Sequence, residues 1–122
     1  MIYVHPSGPG RVRMWVRDCN DALITSDVVA SITYTVWNIS ASGKRTSAVT
    51  GHSDVSVPLE NLMSETLQDE DEDLPYNFEC LLSAQVNKPF PENNKNYEIE
   101  FIFTDTAGEP HPKSVLVRTK TI

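Results

Sequence analysis

From Tyr97 to Thr104 the chain alternates without a break: Tyr97, Ile99, Phe101 and Phe103 are separated by Glu98, Glu100 and Ile102, and Thr104 follows. Successive side chains of a strand point to opposite faces, so four large apolar groups share one side and both glutamates the other. At the 3.6-residue period of a helix the same four groups would be spread around the axis. The segment therefore demands a β-strand with one buried face. It is closed by a turn at Asp105–Gly108. Burying each large side chain is worth roughly 1.5–3 kcal/mol, and a sheet must face these groups from across the core.

The rest of the chain supplies strands and turns at short intervals. Arg11–Arg17 alternates, and Val28–Ile39 is rich in β-branched and aromatic residues, with Ile32, Tyr34 and Val36 on one face. Ala41-Ser42-Gly43-Lys44 reads as a hairpin turn, with Gly43 free to take positive φ, and Arg45–Thr50 returns from it. Val55–Val57 is a short strand, Tyr76–Val86 alternates, and Ser114–Thr121 closes the chain. Glu109-Pro110-His111-Pro112 is not expected to pair, because two prolines remove two donors. Leu59, Leu62, Met63, Thr66 and Leu67 fall at helical spacing behind Pro58, which predicts one short helix near residues 59–67.

About seven strands, one short helix and no βαβ rhythm predict an all-β fold, an antiparallel immunoglobulin-like β-sandwich. A small barrel or jelly roll is the runner-up. At 122 residues the chain suits one core. Residues 1–10, with two prolines and two glycines, read as an extended N-terminal arm. Residues 11–122 form the single sandwich domain. Ile102, apolar on the otherwise polar face, predicts a spot that a partner or the arm covers.

The formal charge is −7, and no apolar run approaches the ~20 residues of a membrane span. Nucleic acid and membrane are therefore not expected partners. The one basic cluster is Arg11, Arg13 and Arg17, whose odd spacing sets all three on one side of a strand. Such a pattern is most often a solvated face; its sharper reading is a docking patch for an acidic partner. Asp69, Glu70, Asp71, Glu72 and Asp73 make an acidic surface in the same chain, so a contact between copies is conceivable. The start, MIYVHPSGPGRVR, lacks a charged region followed by an apolar stretch, so no export signal is expected.

Chemistry-bearing motifs are sparse. Cys19 lies in a turn and Cys80 in a strand, and both are expected as free thiols, Cys80 buried. His5, His52 and His111 share no spacing that forms a zinc pattern. The acidic run lacks the glycine and alternation of a calcium loop. Glu98 and Glu100 share a face as a glycosidase pair would, but glutamates on a solvent face are far commoner. No glycine-flanked nucleophile or phosphate cradle is present. The expectation is a non-enzyme with no cofactor and no metal. Trp15 and Trp37 would be the aromatic contacts of a glycan-binding or protein-binding module.

The segments SITYTVWNISASGKRTSAV, VPLENLMSETLQ, YNFECLL and FPENNKNYEIEFIFTDTAGEP together resemble short accessory structural proteins of tailed bacteriophages and prophages. The shared features are a Thr-rich strand with a hairpin, the segment Ser64-Glu65-Thr66-Leu67-Gln68, and a Tyr-Asn-Phe followed by Phe-Pro and a Tyr-x-x-Glu-Phe strand. The likeness covers about Ser31 to Pro110; DEDEDLP departs from it. It implies an immunoglobulin-like virion protein made in the host cytoplasm: a capsid decoration protein, a head–tail adaptor, or a tail or baseplate component. Its partners would be other virion proteins and copies of itself in a symmetric homo-oligomer. The expected contact residues are Ile2, Tyr3 and Val4 of the arm, the three arginines, and the acidic run. A binding module of a larger surface assembly is the alternative.

Overall fold

The computed structural model describes residues 2–4, 10–17, 24–69, 74–83 and 87–120. Nine strands lie among them: β1 (Ile2–Val4), β2 (Gly10–Met14), β3 (Val29–Ile39), β4 (Arg45–Ala48), β5 (Val55–Val57), β6 (Leu62–Asp69), β7 (Leu74–Leu82), β8 (Asn96–Asp105) and β9 (Pro110–Thr119). Six form one sheet in the order β1-β9-β8-β3-β4, with β5 also paired to β3. The other three form a small sheet, β2-β7-β6. Every pairing is antiparallel except that of β1 with β9. The fold is all-β, and the order of neither sheet returns on itself to close a barrel.

The alternation of β8 works as expected. Tyr97, Ile99, Phe101 and Phe103 are each 0% exposed, and β8 lies between β3 and β9 in the large sheet. Phe78 of β7 joins the sheets. Its ring lies 5.1 Å from both Phe101 and Phe103, edge-on to each, a geometry worth about 0.5–1.5 kcal/mol per pair beyond burial. Ile32, Tyr34, Val36, Cys80 and Leu82 belong to the same core.

Phe90 comes from a loop. It is fully buried, packs against Tyr97 at 5.5 Å, and sits over Gly10 of β2. A Cβ on Gly10 would come within 2.7 Å of the Phe90 ring, so the missing side chain is what admits it. Gly43 takes φ +85 in the β3–β4 hairpin, the left-handed conformation its turn requires.

Three expectations need correction. The predicted helix at 59–67 is only a 3-10 turn, Leu59–Asn61, after which Leu62–Asp69 is strand β6. The apolar spacing that imitated a helix is a register shift. Leu62 pairs with Phe78 and Leu67 with Tyr76, so a long segment of β6 opposes a short one of β7. β7 needs a partner on that edge, and the ladder outweighs local propensity.

The second correction concerns Pro110 and Pro112, which begin strand β9 and pair with Thr104 and Ile102. Asp105 N–H donates to Glu109 O at 2.9 Å, and Thr119 N–H to Lys95 O at 3.0 Å. Antiparallel bonding alternates along a strand. Odd-numbered residues of β9 therefore turn their backbone groups to β8, and both proline nitrogens face the open edge, where no ladder bond is lost.

The third is the arm. Ile2, Tyr3 and Val4 pair in parallel with Val117, Arg118 and Thr119, so this part of the arm is an edge strand of the large sheet. It lies in the plane of that sheet, and the cross-strand neighbours of Ile102 are Thr33 and Pro112.

Candidate interaction face

On β2, Val12 is buried (1% exposed) while Arg11 is exposed and Arg13 half-buried on the other side. On β7, Cys80 and Leu82 point into the core, and Glu79 and Leu81 point out. The register sets Arg11 opposite Leu81 and Arg13 opposite Glu79. The outer face of the small sheet thus carries a basic row beside an apolar group. Leu81 is 67% exposed and Trp15, just past β2, 43%.

Aromatic rings steer the arginines. The Arg13 guanidinium lies 4.6 Å from the Tyr76 ring centre, and its Nε donates to Glu79 Oε2 at 2.5 Å. The Arg17 guanidinium stacks 3.8 Å above Trp15. Each cation–π contact is worth about 0.5–1 kcal/mol at exposed sites, and such an ion pair about 0–1 kcal/mol. These contacts orient the groups more than they stabilise the fold.

One end of the face is locked by Asn77. By sequence it reads as an outward polar residue, yet it is wholly buried. Its Oδ1 accepts from Val16 N–H at 2.6 Å, and its Nδ2 donates to the carbonyls of Val16 (3.3 Å) and Ile24 (2.9 Å). One amide thereby bonds three backbone groups, of which Val16 O also accepts from Ile24 N–H at 3.0 Å, and covers that end of β7 with the Val16 and Ile24 segments.

Of the expected contact residues, Arg11 and Arg13 share this face, and Arg17 lies near it on Trp15. Ile2, Tyr3 and Val4 are instead in the edge strand of the other sheet. Asp69 ends β6, its backbone paired with Leu74, while Glu70, Asp71, Glu72 and Asp73 lie outside the described residues. Leu81 was not among the expected contacts. Its signal was an apolar residue in the polar register of an alternating strand.

Other polar groups bond internally, whereas Trp37 Nε1 is buried without a hydrogen-bond partner among the described residues. Arg45 donates through Nε to Glu98 at 2.7 Å and through Nη2 to Glu100 at 3.1 Å, with a further Nη2 contact to Glu98. The Glu98 hydrogen bond holds the Arg45 guanidinium above its ordinary pKa. On this outer face of the large sheet both carboxylates share one guanidinium, and Leu116, 49% exposed, stands opposite Glu98.

His52, buried at 4% exposure, has Nε2 2.8 Å from the Asn87 carbonyl and Nδ1 2.7 Å from Tyr34 Oη. The carbonyl can only accept, so Nε2 carries the proton and Nδ1 accepts from Tyr34. Burial pushes the Tyr34 hydroxyl up to about 12. Cys80 is a free, buried thiol, pushed up to about 11 by burial; Cys19 and His5 lie outside the described residues.

Asp105, Glu109 and His111 form a cluster whose ligand atoms lie within 4.8 Å of one another, the group among the described residues that could hold a metal. Asp105 already uses both oxygens. Oδ1 accepts from Ala107 and Glu109 N–H, and Oδ2 lies 3.0 Å from His111 Nε2. The His111 hydrogen bond holds its carboxyl below the ordinary aspartate range. The cluster works as a hairpin clip.

No protein-family model, no curated protein and no solved structure matches this chain.

Proposed function

We propose that this chain is a non-enzymatic interaction domain that docks through the outer face of its small sheet. The observation that carries this reading is Leu81, 67% exposed on the central strand, opposite Arg11 and on the face of Arg13. A centrally placed apolar group beside arginine and aromatic side chains is the composition of a contact patch. The arginines favour an acidic partner. The context we propose is the particle of a tailed phage, with the chain as a capsid decoration protein, head–tail adaptor or tail component. That context rests on the likeness of Ser31–Pro110 to virion accessory proteins, and the docking face rests on the geometry. The glycan-module reading has less support, because Arg17 lies over the Trp15 ring and Arg45 near Trp37, 5.4 Å from its centre.

The test is sedimentation of phage particles from a host that produces this chain, followed by detection of the chain in the particle fraction. The wild type should co-sediment. Leu81→Asp, which removes the apolar group and answers the Arg11 charge, should remain folded in the soluble fraction. Absence of the wild type from particles contradicts the virion context. Equal recovery of both proteins contradicts the docking face.

A further inference from the structure

Two pairs of carboxylates converge in the large sheet, and they are answered differently. Glu98 and Glu100 share the Arg45 guanidinium. Asp105 and Glu109, at the β8–β9 hairpin, meet the imidazole of His111 instead. Among the described residues no arginine or lysine bonds either of them.

The hairpin fixes these donors through its backbone. Asp105 N–H donates to Glu109 O at 2.9 Å, and the N–H groups of Ala107 and Glu109 donate to Asp105 Oδ1 at 3.0 and 2.9 Å. Oδ1 is therefore held, and Oδ2 is turned to His111 Nε2, 3.0 Å away. A metal-ligating carboxylate is itself hydrogen-bonded in this way, which orients it. Zinc bonds of about 2.0–2.2 Å set tetrahedral donors about 3.4 Å apart, so Asp105 and His111 stand close to that spacing. A Glu109 carboxylate oxygen lies within 4.8 Å of a donor on each. Glu109 is exposed, so a turn of its side chain closes the remaining gap.

Open space lies against the same donors. Asp105 and His111 line a cavity of about 240 Å³ whose other walls are Ile24, Val28 and Val29. Apolar walls strengthen the attraction between an ion and a carboxylate, and the cavity has room for water as a further ligand.

We propose that Asp105, Glu109 and His111 bind a divalent transition-metal cation of the zinc class. The donor set selects this class. Two carboxylates and an imidazole suit zinc, as three protein ligands with one position left open. Calcium and magnesium are held by oxygen ligands, in larger number or in near-ideal octahedral geometry, and an imidazole among so few donors suits neither. Copper(I) prefers thiolate and thioether ligands, whereas Cys80 is buried in the core. On binding, His111 Nε2 takes the ion as a neutral imidazole with its proton on Nδ1. Asp105 Oδ2 exchanges its hydrogen bond for the ion, while Oδ1 keeps both backbone bonds. The clip of the metal-free hairpin thus becomes the ligand set. This site is separate from the small-sheet face and does not depend on it.

The test is titration of the full chain with zinc chloride to millimolar concentration, read by NMR at the His111 imidazole and at the Ala107 and Glu109 amides. A saturating shift should appear there, and magnesium or calcium chloride at the same concentration should leave these signals unmoved. Loss of a mere outer partner of a ligand costs about 10–100-fold in metal affinity. Glu109→Gln, which leaves the Asp105–His111 clip in place, should therefore weaken zinc binding at least about tenfold. His111→Ala should abolish the response at the hairpin. Thermal unfolding without metal checks that each variant is folded, and Glu109→Gln carries the test alone if His111→Ala is not. Failure to saturate at millimolar zinc, an equal response to magnesium, or equal zinc affinity of Glu109→Gln overturns the proposal. So does a response centred on His5, Cys19 or His52 with the hairpin unmoved.

Discussion

The outer faces of the two sheets start from the same alternating pattern and end differently. On the large sheet, Arg45 spans Glu98 and Glu100, and Ser114 Oγ reaches Glu98 at 3.4 Å. There one guanidinium answers two carboxylates, and Leu116 stands 49% exposed opposite Glu98. On the small sheet, Arg11 and Leu81 stand side by side and exposed, with Trp15 near them. Binary patterning predicts which face is buried; it does not say whether the other face is finished. By its ion pairs the large-sheet face is the more nearly finished of the two, and Leu81 at 67% exposure exceeds Leu116 at 49%.

The largest effect should come from the residue beneath both faces. Phe78 touches Phe101 and Phe103 across the core, so Phe78→Ala should cost ~3–5 kcal/mol in urea unfolding. A loss below ~1 kcal/mol would mean that the sheets do not share one core. Asn77→Ala comes next. It removes the Asn77 bonds to Val16 N–H and to the Ile24 carbonyl, while Val16 O keeps its 3.0 Å bond from Ile24 N–H, at a cost of about 1–3 kcal/mol. It should also speed exchange at Val16 while leaving the Arg45 side unchanged. Equal disturbance of both faces would show that they are not independent.

Glu100→Gln on the finished face should change stability by less than about 1 kcal/mol, with the difference shrinking in salt. The smallest effect is local and pH-dependent. The Asp105 pKa is lowered in the folded protein from an ordinary 3.8. Its contribution is complete above that value and fades as pH falls through the lowered one. Exchange at the Ala107 and Glu109 amides, corrected for intrinsic rate, should quicken only in that acid window. Unchanged protection there would remove Asp105 as the hairpin clip.

Much of the large sheet is legible because β8 keeps an uninterrupted period of two, whereas β3 beside it carries register shifts near Ser31 and Ile39 that its residues do not announce. The small sheet is harder to read. The register shift between Leu62 and Leu67 places apolar residues at a helix-like interval, and only the ladder with β7 reveals a strand. β1 has three residues and no periodicity of its own; its parallel pairing is a tertiary fact. The prolines of β9 enter a strand, against the expectation from their sequence, because donor loss matters only where a donor would face a neighbour. Within the site, the line of arginines could be read from i, i+2 spacing. The setting of Leu81 opposite Arg11 could not, since it depends on which residues of two distant segments come into register. Asn77 shows the same limit, its burial arising from a segment more than fifty positions away, Val16 and Ile24.

The most direct test sets one substitution on each outer face against the other. Particle association should be measured by sedimentation for Leu81→Asp and for Glu100→Gln, after thermal unfolding confirms that both remain folded. The account predicts that Leu81→Asp loses association while Glu100→Gln keeps it. Retention by Leu81→Asp, or loss by Glu100→Gln alone, would contradict the assignment of the small-sheet face as the docking surface.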